Sequence, residues 1–581
     1  MSFSSLDEAL NFVSSLNNHS LIDFVELPPD TRGDVTDSED LDEENLKDSC
    51  IPNEFPGGLE VHIHDVDEKQ EYPSLDSEDP VWEECYAPVF KLSPISDEQQ
   101  SEVSQIVDDM KNLLRNKSCV EIFEYFFDDE IVEHIVNETV RYARQNNDHE
   151  FEFSKECLYK FVGILFLSGY HTLPSQKLYW STEDDLEIPF VRQCMTKNRF
   201  LTIKKYLHFN DNSSKEEKTR SFKILPLIEL FNKKFKQFGF FSSELSTDEQ
   251  MCEYFGKSAM KQFIATKPIR FGFKFWALCA SKYGFCYDLQ LYEGKNNKKY
   301  PINGLGASVV LSHVELLKNP SLYQLYFDNF FAGFDLFKHL TTIGMKATAT
   351  VRANRTKRAP FIENSKLKKK ERGYTQSFYD KKSGVNVISW LDNNNVKMFS
   401  NHESIEPTKN CSRWSRKYNQ KITFSQPHSI QRYNSYMGGV DKNDFLTNSY
   451  KITIKSKKWY LPVFNHLLMV AMTNASIVYN ICNPKVSLLD FQREVSQSFM
   501  RRNSLFSDPK TGGRPLKRKF SFVEFDLKGH FLSKIPEENG ERKQKRCKVC
   551  SKKIRTQCNE CKVALCLSDE STTCFEKFHR R

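Results

Sequence analysis

The sequence predicts a multidomain α/β protein, and three observations lead to that class. First, 581 residues exceed what one hydrophobic core organises. Second, the apolar period is helical over 101–243, turns strand-like near 245, and is helical again beyond 450. Third, six cysteines crowd into Cys547–Cys574 and are followed by His579, the pattern of a small separate metal module. The 47 Phe and 23 Tyr are enough to fill large cores.

Charge divides the chain. Residues 1–100 hold 26 Asp and Glu against 4 Lys and Arg, which leaves 101–581 at a net +27. An acidic tail on a basic body is the asymmetry of a polyanion binder; a basic surface kept for solubility is the plainer alternative. The run Asp37 to Glu44 and the scattered Pro and Gly predict that 1–100 is a disordered tail, because too little apolar surface is available to offset ordering entropy. Met1-Ser2-Phe3-Ser4 opens without a basic n-region, and the apolar stretches read as too short and too interrupted to span a membrane. No membrane association is therefore expected. The context reads as reducing, so clustered Cys are metal ligands rather than disulfides.

Helices are expected through 101–243: Val103, Ile106, Val107, Met110 and Leu114 recur at three- and four-residue steps, and Phe161–Tyr170 is a buried helix. Arg199–Phe209 sets bases beside an apolar stripe, a face for phosphates or simply for solvent. Over 244–352 the strands are Glu244–Met251, Phe271–Ala280 and, after a Gly284 turn, Phe285–Tyr292. A helix near Val309–Leu317, a strand ending at Phe327, a helix over Gly333–Leu340 and the strand Lys346–Arg352 follow. Three strands, a helix, a fourth strand, a helix and a fifth strand is the order of an RNase H-like catalytic core. Residues 353–427 read as an inserted β-rich subdomain and 428–450 as the second part of the core.

Asp328 ends an apolar strand. It either caps the following helix or has its desolvation compensated by a cation. In Met437-Gly438-Gly439-Val440-Asp441-Lys442-Asn443-Asp444 a helix starts. Asp441 and Asp444 then share a face, either to complement the helix dipole or to hold a metal. Lys455, Lys457, Lys458 and Trp459 combine bases with an aromatic ring, a composition for DNA phosphates and base stacking, unless Trp459 merely opens the next helix. Arg352 is a further candidate DNA contact. Residues 503–546 form a basic linker whose runs Arg514–Lys519 and Arg542–Arg546 resemble nuclear-import signals, so a nuclear location is expected.

The module 547–581 supplies Cys547, Cys550, Cys558, Cys561, Cys566, Cys574 and His579. Two CxxC knuckles and three further ligands predict two zinc ions with interleaved ligands, as in a cross-brace. One site takes Cys547, Cys550 and Cys566, with Asp569 or water as the fourth ligand. The other takes Cys558, Cys561, Cys574 and His579. One zinc with spare thiols is the competing reading.

With these residues in hand, the chain resembles piggyBac-type transposases and the piggyBac transposable element-derived proteins. The resemblance rests on Ser246–Met251, Lys267–Trp276, Phe327–Phe331, Met437–Asp444 and the Cys-rich end, and it covers roughly residues 100–581. It implies a DDE/D transposase that excises DNA at TTAA sites and rejoins it at another TTAA. Asp248, Asp328 and Asp441 would hold two Mg2+ ions, with Asp444 as a fourth required acid. It also implies a split helical domain, 101–243 and 451–502, around the core, and a homodimer holding transposon ends. Asp569 stands where the family prototype has a His. The alternative from another class is a domesticated DNA- or chromatin-binding protein that no longer cuts and acts through the zinc module and basic surfaces; that module could also read a protein tail.

Overall fold

The structure is a computed structural model. It describes residues 2–5, 21–26, 54–64, 79–502, 530–535, 544–566 and 574–579. Within 79–502 it omits 214–218, 295–303 and positions 255, 257, 259, 265, 266, 268, 417 and 457. The chain forms two compact units. One comprises 1–132, 160–197 and 215–501, the other 133–159, 198–214 and 502–581.

Three segments of the acidic region pair as strands: β1 (Ser2–Ser5), β2 (Leu21–Glu26) and β3 (Glu54–His64) form an antiparallel sheet in the order β1-β3-β2. This corrects the expectation of a wholly disordered tail. Leu21-Ile22-Asp23-Phe24-Val25-Glu26 and Leu59 to His64 carry β-branched and aromatic residues at strand density, which the net charge of the whole region concealed.

The first unit joins a helical body to a large mixed sheet. Helices Asp97–Leu114 and Cys119–Glu124 each begin with a capping box, Ser96 with Gln99 and Ser118 with Glu121. Phe123 lies edge-on to Phe166 at 5.4 Å and to Phe499 at 5.7 Å, so helices from before and after the sheet share one aromatic core. The helix Tyr460–Cys482 is long and apolar enough to cross a membrane. That corrects the expectation of only short apolar stretches. It lies largely buried in the body, which is why its sequence is apolar all round.

The sheet has ten strands. Its members are β4 (Glu83–Glu84), β5 (Glu244–Glu253), β6 (Lys261–Phe263), β7 (Phe271–Ala280), β8 (Cys286–Leu291), β9 (Gln324–Phe327), β10 (Lys346–Thr350), β11 (Thr375–Asp380), β12 (Val385–Leu391) and β13 (Asn395–Ser400). The order is β4-β11-β12-β13-β10-β9-β5-β7-β6, with β8 also on β7. Every residue of β7 is buried, which explains its unbroken apolar run. β7 is antiparallel to β5 and β8, whereas β5, β9 and β10 are mutually parallel. Gly284, at φ +75°, makes the β7–β8 turn. Residues 353–427 are less separate than expected: β11–β13 extend the main sheet through β13 on β10, and the ribbon β14 (Lys409–Ser415) and β15 (Gln420–Gln426), though a sheet of its own, packs Phe424 on Trp390 of β12 at 5.9 Å.

In the second unit, Tyr142 stacks on His208 at 4.2 Å and Phe151 packs on Tyr206 at 4.9 Å. Lys204 is buried, and Arg199 lies over the Phe151 ring at 5.3 Å and bonds the Glu152 carbonyl. These two bases of the Arg199–Phe209 stripe therefore serve packing. The Cys-rich region adds the two-stranded pairings β16 (Leu532–Lys534) with β19 (Thr556–Cys558) and β17 (Lys545–Arg546) with β18 (Lys553–Ile554).

Candidate active site and Cys/His centres

β5 and β9 run parallel with Thr247 opposite Phe327. Asp248 and Asp328 are the next residues on these two neighbours, so the register brings them to one level. Asp328 Oδ1 accepts the Phe330 N–H at 2.8 Å, an Asx turn. The helix Phe334–Thr342 has Gly333 as its N-cap. The helix-cap role open to Asp328 is thus corrected: it closes the turn before the helix. Arg355 Nη1 donates to the carbonyls of Asn329, Phe330 and Ala332 at 2.9–3.1 Å, and Arg352 Nε donates to Asn329 Oδ1 at 3.0 Å. Two guanidinium groups therefore fix the loop that carries Asp328.

Asp441 and Asp444 lie on the helix Gly439–Ser449, which packs across β5 and β7. Gly439 permits the approach: a Cβ there would lie 2.3 Å from Ser246 Oγ and 2.8 Å from Ser281 Cα. Asn443, between the two acids, is buried. Its Nδ2 donates to the Gly284 carbonyl at 2.8 Å, and its Oδ1 accepts from Gln250 Nε2 at 3.1 Å. Asp444 Oδ1 accepts from Asn448 Nδ2 at 3.0 Å and from Gln250 Nε2 at 3.4 Å. The Asp441 side chain is 71% exposed.

Lys267 stands among these acids. Its Nζ donates to the Glu249 carbonyl at 3.2 Å and lies 3.6 Å from Glu249 Oε1 and 3.9 Å from Asp441 Oδ1. Burial and then the Glu249 charge push Asp248 well above the usual carboxylate range and Asp328 up to about 6. Burial also raises Asp444. Glu249 is held low: burial opposes its charge, but Lys267 and Lys274 outweigh that. Burial would lower Lys267, yet Asp248, Glu249, Asp441 and Asp444 raise it. The donor set suits a hard divalent ion, since it offers carboxylate oxygens and a like-charge repulsion that a cation relieves. Among the described residues, the acids surround Lys267 rather than closing on one point; the groups whose ligand atoms all lie within 4.8 Å of one another are the two Cys/His sets. Sequence reasoning did not single out Glu249, Asn443 or Arg355. Glu249 and Lys267 do sit inside the motif stretches, next to Asp248 and at the head of Lys267–Trp276.

The candidate DNA contacts separate. Lys455 is exposed, and Lys457 lies outside the described residues. Lys458 is only 7% exposed, and Trp459 packs edge-on against Phe273 at 5.8 Å and Tyr460 at 5.7 Å. Both are corrections. Trp459 immediately precedes the apolar helix, and hydrophobic burial draws the ring and its lysine neighbour inward.

In the second unit, Cys547, Cys550, Cys566 and Cys574 form one group and His530, Cys558, Cys561 and His579 the other. The expected partition is corrected: Cys574 completes the first group, and His530, from the preceding linker, completes the second. Asp569 lies outside the described residues. The interleaving of ligands remains. Both knuckles share a geometry: the Ser551 N–H donates to Cys547 O and the Lys562 N–H to Cys558 O, with Ser551 and Lys562 at φ +61° and +54°. His579 Nδ1 lies 2.9 Å from the Phe575 carbonyl, which assigns the proton there and leaves Nε2, 3.5 Å from Cys561 Sγ, as the lone-pair nitrogen. His530 Nδ1 lies 3.2 Å from Cys561 Sγ. Burial would raise Cys547, but backbone N–H donors at Cys550, Val549 and Cys566 hold its thiol at about 7. Soft sulfur and imidazole donors in two fourfold sets fit zinc.

The family model described as Transposase IS4 matches residues 118–476, more than half of the chain. Human piggyBac transposable element-derived protein 3 is 36% identical over 455 residues, 77% of this chain and 75% of the relative. The chain belongs to the piggyBac transposase family. Human piggyBac transposable element-derived protein 2 is 32% identical over 449 residues, 76% of this chain and 74% of its own. A cryo-EM structure of the piggyBac transposase synaptic complex with hairpin DNA aligns with a TM-score of 0.57, covering 76% of this chain and 96% of that one. At 19% identity this likeness concerns the fold.

Proposed function

We propose that this member of the piggyBac family is a DDE/D-type DNA transposase that cuts and pastes at TTAA sites, acting as a homodimer on two transposon ends. The observation that carries the reading is the pairing of Asp248 and Asp328 at one level of adjacent parallel strands, with Asp444 and Asp441 delivered beside them by one helix. The strand order β8-β7-β5-β9-β10, with β7 alone reversed, supports an RNase H-like core. Asp248, Asp328 and Asp441 would hold two Mg2+ ions, with Asp444 beside them as a fourth required acid; the ions when bound would supply activation of a water or 3′-hydroxyl and stabilisation of the leaving oxygen. The chain itself contributes positioning. Arg355 and Arg352 hold the Asp328 loop, Gln250 and Asn448 hold Asp444, and Asn443 pins its helix to the sheet. Lys267 neutralises the acids before metal arrives and must give way for it.

Asp328→Asn or Asp248→Asn should abolish Mg2+-dependent cleavage of transposon-end DNA while leaving its binding within a few fold of wild type. Normal excision by either variant overturns the assignment. A second reading, a domesticated DNA-binding protein, is favoured by Lys267, whose ammonium balances the acids without any ion. A Mg2+-dependent nicking assay on DNA ending in TTAA separates the two. The Cys/His module is read as two zinc centres. A nuclear location rests on the basic runs Arg514–Lys519, outside the described residues, and Arg542–Arg546, of which the described residues include only 544–546.

A further inference from the structure

A cavity of about 330 Å³ opens in the first unit beside the acids, in the range of small-molecule sites. It lies between the end of β5, the last turn of the helix Gly439–Ser449, the segment 451–456 and the start of the helix Tyr460–Cys482. Met251, Ile452, Ile454 and Met469 give it apolar walls. Two polar side chains on successive positions of one helix also line it. His466 is 8% exposed and its Nε2 has no hydrogen-bond partner; Asn465 spends its Nδ2 on the Ile454 carbonyl at 3.3 Å and leaves its buried Oδ1 without one. Burying such atoms unpaired is costly, so a ligand edge that pairs them is the natural complement. Phe275 stacks on the His466 ring at 5.4 Å and fixes its plane. Burial lowers His466 to about 4, so the ring is neutral at pH 7 and offers one donor and one acceptor nitrogen.

Two features make the ligand a nucleotide rather than a plain heterocycle. Lys451 and Lys455 line the same cavity as cations for a phosphate; Lys451 Nζ donates to Glu253 Oε2 at 2.7 Å, also on the wall, a partner that an incoming phosphate would replace. Asn448, also on the wall, donates to Asp444 Oδ1, so the cavity abuts the acid cluster through one hydrogen bond. We propose that this cavity receives a single unstacked base of the DNA strand, with Asn465 and His466 reading its edge and the lysines holding its phosphate. Chemistry on a strand end requires unpaired nucleotides, and a base removed from the stack needs an apolar slot with a few edge contacts. The inference rests on the transposase reading for the position of the strand, but its test does not depend on cleavage.

The test uses the full chain and a ten-nucleotide DNA strand of abasic residues bearing one central 2-aminopurine. Fluorescence of that base reports the pocket, and anisotropy of an end label reports strand binding. Wild type should change the 2-aminopurine emission saturably. The pair Asn465→Leu with His466→Phe, which preserves volume, should weaken that response at least tenfold while label anisotropy changes less than threefold. Met469→Trp, which fills the cavity, should abolish it. An unchanged response in both variants overturns the proposal, as does a wild type that binds the strand without altering the base signal. Free 2-aminopurine riboside monophosphate is the second arm. If it saturates the pocket at lower concentration than the strand, the occupant is a free nucleotide and the DNA assignment falls. Loss of nicking with the base response intact would overturn the transposase reading alone.

Discussion

Lys267 shows how one residue sets the state of a site. Its ammonium lies 3.6 Å from Glu249 and 3.9 Å from Asp441, and removing one partner of a largely buried ion pair leaves charge uncompensated. Lys267→Met should lower unfolding free energy in a chelator by about 3 kcal/mol, and Mg2+ should recover part of that loss in a denaturant titration. Two histidines act with the opposite pH sense to the acids. Burial lowers both His313, which meets Thr247 Oγ1 at 3.1 Å, and His466 to about 4. Their unfolded forms take up protons below about 6.5 while the folded forms stay neutral, so this contribution to stability is full above pH 6.5 and lost as pH falls towards 4. Urea unfolding across pH 4–7 should show the fall, and His313→Gln should flatten it. These residues were only partly legible beforehand: Lys267 lies in a motif stretch, but nothing in the local sequence tells a buried His from an exposed one.

At the scale of elements, the acids depend on how the helix Gly439–Ser449 sits on the sheet. Its closest point is Gly439 against Ser246 and Ser281, and its pin is Asn443 against Gly284 and Gln250. Gly439→Ala places a methyl group where Ser246 Oγ already lies, so the helix must shift with Asp441 and Asp444. Cleavage should fall by about 10²-fold with DNA binding retained, as a displacement of about 1 Å permits. A second device is the buried carboxylate Glu403, which accepts from Arg432 Nε and Tyr326 Oη, both at 3.1 Å. It ties the helix His428–Tyr436 to β9, the strand that ends beside Asp328. Burial opposes its charge, but His402 and Arg432 keep it below the usual range.

At the scale of the whole molecule, the Cys/His module has a small apolar cluster of its own, Leu565 with Leu532, Val549 and Phe575, alongside the thiols. So small a core depends on metal for its folding energy. Two zinc ions per chain are expected by native mass spectrometry, and His530→Ala should weaken one site by at least tenfold while leaving the other filled. The sequence by itself determined the candidate acids and thiols and the alternation of elements. Four acids at strand ends and a helix start, the CxxC spacings and the switch of period at 245 are local patterns, and local patterns are written in residue type and spacing. The tertiary structure decided which distant residues share a point. It paired Asp248 with Asp328 through strand register, brought His530 to Cys558 and Cys561 across 28 and 31 positions, buried Lys458 and packed the half-buried Trp459 on Phe273, and merged β11–β13 with the main sheet. Each of these follows from packing and pairing between segments far apart in the chain, where burial and charge compensation outweigh any preference that one segment expresses alone.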